Sequence, residues 1–312
     1  MTKLYYIKTA SALSATILLV ASAAGLADQS LEKKQVKTPS ALQLSKHRSQ
    51  AHQISAEKKR QLVKEAVETV METENALTAL YNHNTEQSLH YLQDVSAKLR
   101  ILSSRDSKFN LIPVSFQEET VIYQGNLDDV KATTKKAMQL IEAEQIQQAK
   151  KLLAELASEI RINIVSLPLS EYPGAIDEAT ALIKAGKEDD AKKTLEKVLD
   201  TLVANTEIYP LPVLSAEADL TDAYELEHNS GLSKKDGKKQ ILQLADNTEY
   251  QLKLAEALGY GDKKDYATLY QGIQALRDTL HTDSDKFKET WEQVKGAIGS
   301  LKEKIIHPRL NV

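Results

Sequence analysis

Four tyrosines in the C-terminal third are the side chains whose spacing best suits ligand binding. They are Tyr250, Tyr260, Tyr266 and Tyr270. Tyrosine rings give a ligand contact area and their hydroxyl groups give it polar partners, so these residues could line a ligand groove. Tyrosines at such positions more often pack between helices, and packing is the interpretation we favour.

Metal-competent side chains alternate in one short loop, at His281, Asp283 and Asp285. Imidazole and carboxylate groups bind zinc or calcium when enough of them converge. No second group of ligands accompanies these three, and Asp or Ser in such a loop commonly caps the next helix. We therefore predict helix capping here and no metal site.

Catalytic motifs are missing from the sequence. It contains no phosphate-binding glycine loop, nucleophile elbow or zinc-binding helix motif, and Gly259-x-Gly261 lacks the rest of any such pattern. The chain has no cysteine, which excludes disulfides, thiolate catalysis and cysteine zinc sites. We expect no catalytic residues and no cofactor, and we predict that the protein is not an enzyme.

The charge balance argues against nucleic-acid binding. The sequence has 40 Lys and Arg against 44 Asp and Glu, a formal net charge of −4. Nucleic-acid binding depends on clustered basic residues that neutralise phosphates, so we predict no such partner. The lysine pairs at 234–235 and 238–239 are interpreted as solvated helix faces, although such pairs also attract anionic lipid headgroups or acidic partners.

The amino terminus has the three parts of a secretory signal. Lys3 and Lys8 precede an apolar stretch at 10–20, and small residues follow through Ala27. An uncleaved membrane anchor is the alternative, but the apolar stretch falls short of the ~20 residues that span a bilayer. We predict a signal peptide at 1–27, a periplasmic location and no stable membrane insertion.

The composition favours helices. Hydrophobic residues make up 42% of the chain, enough for a sizeable core, while aromatic residues make up only 5%. Ala, Leu, Glu, Lys and Gln make up about half of the chain, and these are strong helix formers. We predict an all-α fold of antiparallel helical hairpins.

The chain divides into five predicted segments: a signal peptide at 1–27, a flexible leader at 28–53, an N-terminal helical region at 54–126, a helical repeat domain at 127–281, and a C-terminal helix and tail at 282–312. The leader is polar, so it buries too little surface to offset its ordering entropy.

Two further patterns refine this division. Residues 109–123 break the helical period and are rich in β-branched and aromatic residues, which predicts an extended excursion or a short β-hairpin. The last third predicts three helices, at 234–258, 263–280 and 284–305.

An internal repeat of about 42 residues is the most informative pattern. Leu140, Ile141, Ala143, Ala149, Lys150, Lys151 and Leu153 align with Leu182, Ile183, Ala185, Ala191, Lys192, Lys193 and Leu195. Gly186 suits a left-handed helix end in the second copy, whereas Glu144 stands there in the first. The first copy is therefore expected to kink at that turn.

Each repeat ends in a proline-containing apolar stretch. The two stretches are Leu167-Pro168-Leu169 and Tyr209-Pro210-Leu211-Pro212-Val213. Proline cannot continue a helix, because it lacks the N–H donor and disfavours helical geometry in the residue before it. We expect extended connectors here, with Pro212 in the first turn of a further helix.

Three segments resemble the YfdX family of exported bacterial proteins. They are ALIKAGKEDDA in the second repeat, the connector at 208–213, and YQLKLAEALGYG from Tyr250 followed by DYATLY from Asp265. The resemblance covers roughly 128–280. It implies an exported helical protein associated with stress, with oligomers and chaperone-like behaviour in relatives, and it implies no catalytic residues.

The resulting hypothesis is a non-catalytic periplasmic protein that binds unfolded proteins or a partner protein, with homo-oligomers as one open possibility. The alternative is a helical scaffold or adaptor that binds one specific envelope partner. The residues expected to form a groove or a family motif are Tyr209, Pro210, Pro212, Tyr250, Leu258, Gly259, Tyr260, Gly261, Tyr266 and Tyr270.

Overall fold

A computed structural model describes residues 41–105, 110–230, 235–280 and 284–308. The helices are α1 (Ala41–Gln61), α2 (Lys64–Tyr81), α3 (Thr85–Arg105), α4 (Leu127–Glu142), α5 (Ile146–Ala154), α6 (Tyr172–Lys184), α7 (Glu188–Leu199), α8 (Leu211–Ser230), α9 (Lys235–Ala257), α10 (Lys263–Thr279) and α11 (Ser284–Ile306). The strands are β1 (Leu111–Val121), β2 (Glu159–Pro168) and β3 (Val203–Pro210). No described helix has the length and apolarity needed to cross a bilayer.

The described residues are mostly helical, as predicted, but the all-α prediction omits a three-stranded antiparallel sheet ordered β1-β2-β3. The expected excursion is the single strand β1, and its partner β2 lies far along the chain, so a local hairpin is the wrong description. The proline connectors are extended as expected, and β2 and β3 each end on a proline.

Alternating isoleucines explain why β2 is the central strand. Ile160, Ile162 and Ile164 are buried on one face of the sheet, where they pack with α1 and the start of α8. The other face is covered by α2 and neighbouring helices through Ile112 and Val114 of β1. A period of two buries every second side chain of a strand on the same face, so both faces of this sheet contribute to the core.

The structure places α1 across residues 41–53, where a flexible leader was predicted. Polar contacts with α8 hold it there: Lys46 donates to the Asp222 carboxylate (2.6 Å), and the His47 ring hydrogen-bonds the Ser215 hydroxyl (2.8 Å). The number of apolar residues in this segment does not predict the helix, because hydrogen bonds and ion pairs provide part of the energy that holds α1 against α8. The predicted signal peptide and residues 28–40 lie outside the described residues.

Two helix–helix–strand units follow one another, α4–α5–β2 and α6–α7–β3. The α4–α5 turn is not a kink, since Glu144 (φ 59°) adopts the left-handed conformation that Gly186 (φ 73°) adopts between α6 and α7. The residue after each of them donates a matching backbone hydrogen bond, to Leu140 (2.8 Å) and Leu182 (2.9 Å). The underlying sequence repeat stays a prediction.

Two helical cores flank the sheet. In the first, α2 and α3 pack against α6 and α7, so this core contains residues on both sides of the predicted boundary at 126/127. In the second, α8 and α9 pack against α10 and α11. The Trp291 indole N–H donates to the Leu220 carbonyl (2.8 Å) and its ring stacks on Tyr224, which fastens α11 to α8. The three helices expected in the last third are confirmed.

Candidate functional site

The α9–α10 turn borders an open groove of about 1430 Å³, called here the turn groove. Leu258, Gly259, Tyr260 and Gly261 line it together with Glu159 at the start of β2. The structure thus brings one stretch of the predicted site residues into a single concave surface.

Backbone geometry explains the two glycines of this turn. Gly259 (φ 88°) ends α9, and the next residue, Tyr260, donates its N–H to the Ala255 carbonyl (3.1 Å). Gly261 is also left-handed (φ 73°), and a Cβ added to it would stand 2.6 Å from a methyl carbon of Leu301. A side chain at Gly261 would therefore meet both backbone strain and a clash.

Tyr260 ties the turn to the sheet. Its hydroxyl accepts a hydrogen bond from the Ser158 backbone N–H (2.9 Å) and donates one to the Glu159 carboxylate (2.6 Å). Glu159 also accepts from the Arg161 guanidinium (2.5 Å), so its buried charge is paired. Burial raises the pKa of the Tyr260 hydroxyl, as does the bond to Glu159. The group therefore acts as a protonated clamp and not as a general base.

Two other motif tyrosines lie on α10. Tyr266 is fully buried, and its hydroxyl donates to the Tyr260 carbonyl, so it is a packing residue. Tyr270 donates to the Glu256 carboxylate (2.7 Å), with Lys253 above its ring. Burial is the main reason why the pKa of the Tyr266 hydroxyl and that of the Tyr270 hydroxyl are raised.

The remaining predicted site residues lie elsewhere. Tyr209 donates to Glu207 (2.7 Å) at the end of β3, Pro210 is the last residue of that strand, and Pro212 is in the first turn of α8, as predicted. Tyr250 lies on α9 beside the first turn of α4, and its side chain hydrogen-bonds the Leu127 backbone. Burial raises the pKa of its hydroxyl group. The ten predicted residues therefore do not form one site.

A second groove was not predicted. It has a volume of about 630 Å³ and lies between α4 and the facing ends of α9 and α10; we call it the hairpin groove. Leu127, Met138, Ala257 and the Tyr270 ring contribute apolar surface, and four lysines stand along it. Apolar residues at helical spacing on α4 are the sequence signal for a contact face here.

Exposed apolar side chains are concentrated on the α4–α5 hairpin. Met138 is 57% exposed, Ile141 47%, Ile146 53% and Leu153 44%. The residues that correspond to Ile141 and Leu153 in the α6–α7 hairpin are 5% and 0% exposed, because α2 and α3 cover them. The exposed residues Met138, Ile141, Ile146 and Leu153 are called the apolar row below.

Within the described residues, no group of three or more His, Asp or Glu side chains is arranged to hold a metal ion. His281 and Asp283 of the loop motif fall outside the described residues. In the two grooves, Glu159 accepts from Tyr260 and Arg161, and Glu256 accepts from Tyr270, so these carboxylates hold neighbouring elements in position.

Comparison with known proteins relates the middle of the chain to one family. The model of a family described as YfdX protein matches residues 69–208. The predicted YfdX resemblance is confirmed. The YfdX match runs from α2 to β3 and includes the apolar row, and it covers less than half of the 312 residues. The segment at 250–270, which carried much of the predicted resemblance, lies outside it.

One solved structure gives a further comparison. A structure of YfdX from Salmonella Typhi is 14% identical, and the alignment covers 48% of this chain and 93% of that chain with a TM-score of 0.34. A search of curated proteins gave no match.

Proposed function

We propose that this protein is a non-catalytic, stress-associated periplasmic protein that binds unfolded or partly folded proteins in a chaperone-like manner. The apolar row on α4–α5 is the observation that carries the proposal, and the YfdX match includes it. The signal-like amino terminus supports the periplasmic location.

Four of the nine large apolar side chains that are exposed among the described residues lie on this one hairpin. Apolar side chains scattered singly are common on protein surfaces, whereas a local concentration of them marks an interaction site. The α4–α5 hairpin makes its main contacts within itself and with α9, so its outer face stays open. Unfolded chains expose apolar side chains, and burying them against Met138, Ile141 and Leu153 would stabilise a complex by about 25 cal/mol per Å² of apolar surface removed from water.

A specific adaptor is the second candidate, and the lysines of the hairpin groove favour it. Fixed charges beside an apolar surface discriminate between partners, because a like charge opposite them is repelled. A chaperone-like protein should protect several unrelated clients, whereas an adaptor should bind one partner tightly.

Light scattering of aggregating client proteins tests the proposal. The purified protein should suppress aggregation of several unrelated clients at ratios up to equimolar. The triple variant Met138→Gln/Ile141→Gln/Leu153→Gln should lose most of this suppression, because it makes the row polar without touching a buried residue.

A matched triple variant controls for general surface hydrophobicity. Met71→Gln/Ile101→Gln/Val203→Thr changes side chains that are 54%, 42% and 39% exposed but lie outside α4–α5. This variant should suppress aggregation as the unchanged protein does. Absence of suppression by the unchanged protein, at neutral and acidic pH, would sink the chaperone-like function and leave the adaptor.

A further inference from the structure

We propose that the hairpin groove is a docking site for one amphipathic α-helix whose apolar face is flanked by acidic side chains. This inference rests on the proposed function and names the class of segment that the protein recognises. Groove shape, charge and the contrasting second hairpin each support it.

The apolar surface of α4 has the dimensions of a helix-binding stripe. Leu127, Thr134 and Met138 line the groove at intervals of seven and four residues, and Ile141 continues the same face of α4 three residues beyond Met138. At 1.5 Å per residue this stripe is about 21 Å long, which matches about four turns of a bound helix. Ala257 and the Tyr270 ring form the opposite wall.

The charges along the groove are mostly positive. Lys131 and Lys135 project from α4 and Lys263 from the start of α10, and none of these three forms an ion pair within the described ranges. Lys253 is paired with Glu249 (2.5 Å), and the one lining carboxylate, Glu256, already accepts the Tyr270 hydroxyl. Acidic side chains on a bound helix would therefore meet free ammonium groups on both walls.

The neighbouring hairpin shows what kind of element suits such a face. In the α6–α7 hairpin, Ile176 and Ile183 are buried because helices α2 and α3 of the same chain lie across them. Ile141 occupies the Ile183 position on α4 and is 47% exposed, and Thr134, at the Ile176 position, is only partly buried. A helix therefore fits the groove in the manner that this fold already uses, and the long stripe favours a helix over a compact anionic lipid headgroup.

Fluorescence anisotropy with labelled peptides tests the inference. The probe is an amphipathic helix of about 18 residues with leucines on one face and glutamates beside them, and its sibling carries lysines in place of the glutamates. The purified protein should bind the glutamate peptide at least about tenfold more tightly. Lys131→Gln/Lys135→Gln should weaken that binding about three- to tenfold, because two charge pairs are lost.

A control on the same hairpin separates local charge from net charge. Lys150→Gln/Lys151→Gln removes two exposed lysines of α5 that do not line the groove, and it should leave affinity within about twofold. Met138→Gln/Ile141→Gln should weaken binding of the glutamate peptide about tenfold. Equal affinity for the two peptides, or equal effects of the two lysine variants, would overturn the inference.

Anionic vesicles and the scattering assay separate the remaining outcomes. The inference would be overturned in favour of a lipid if phosphatidylglycerol vesicles bound through Lys131 and Lys135 while the glutamate peptide did not bind. If clients are protected but the peptide does not discriminate by charge, the inference fails and the proposed function stands. If the peptide binds as expected but clients aggregate unhindered, the groove stands and the chaperone-like function fails.

Discussion

Removing a single hydroxyl group at Tyr260 should destabilise the fold well beyond the usual effect of a Tyr→Phe change. The hydroxyl accepts from the Ser158 N–H, whose residue is only 5% exposed, and donates to Glu159, which is equally buried. The Tyr260→Phe variant leaves a buried donor without an acceptor and takes one donor from a buried carboxylate. The Arg161 contact with Glu159 remains, which limits the loss.

The magnitude follows from these two contacts. A hydrogen bond to a charged group contributes about 1.5–3 kcal/mol, and an orphaned buried donor costs about 1–3 kcal/mol. Because the contacts share one hydroxyl, we expect a total loss of about 2–4 kcal/mol. Tyr270→Phe is the matched control: its hydroxyl also binds a carboxylate, Glu256, but at a partly exposed position, so the loss should stay below about 1 kcal/mol.

Urea unfolding measures the difference. Fluorescence of Trp291, the single tryptophan, reports on the α8–α11 core, and circular dichroism reports on all helices. With a slope of about 3 kcal/mol per M, the Tyr260→Phe midpoint should fall by about 1 M and that of Tyr270→Phe by less than about 0.3 M. Equal shifts for the two variants would refute the role of Tyr260 as the clamp between the turn and the sheet.

Three further substitutions test individual features. Glu144→Gly should stabilise the protein by about 0.5–1 kcal/mol, because Glu144 is left-handed (φ 59°) and glycine adopts that conformation without strain. Gly186→Ala should destabilise the protein by about 1 kcal/mol for the same reason. Thermal unfolding of both variants checks that the two effects have opposite signs. Burial raises the pKa of Asp219 to about 6, above its usual 3.8, so its ionisation costs stability as pH rises from about 4 to 6. Asp219→Asn should therefore stabilise by about 1–2 kcal/mol at pH 7.5 and by little at pH 4, and an unfolding series across pH that shows the same gain at both values would contradict this. Gly261→Ala should destabilise by about 2 kcal/mol in urea unfolding, because its left-handed backbone and the nearby Leu301 methyl both oppose a Cβ; an unchanged midpoint would contradict that geometry.

Local signals predicted several helix boundaries. Gly259 ends α9 one turn before the capping residue Asp262, and Pro212 opens α8, because these residue types act through their own backbone conformation. The sheet was missed because strand pairing depends on residues far apart in the chain. The alternation of Ile160 and Ile162 is typical of a strand, but the proline that ends β2 is equally typical of an irregular connector.

The candidate sites were predictable to different degrees. Leu258–Gly261 could be identified because they form one continuous motif around two backbone-constrained glycines. The apolar row could not be identified, since Ile141 and Ile183 are the same residue type at corresponding positions and only the presence of α2 and α3 buries the second. Exposure of such a face is decided by long-range packing, which helical periodicity does not report.

Hydrogen–deuterium exchange of the protein alone and with an unfolding client tests the binding role of α4–α5 most directly. The α4–α5 amides should exchange quickly in the free protein, because this hairpin buries few side chains, whereas those of α6–α7 should be protected. A bound client should slow exchange in α4–α5 and leave exchange in α6–α7 unchanged. Protection confined to other helices, or no protection while the client is bound, would contradict it.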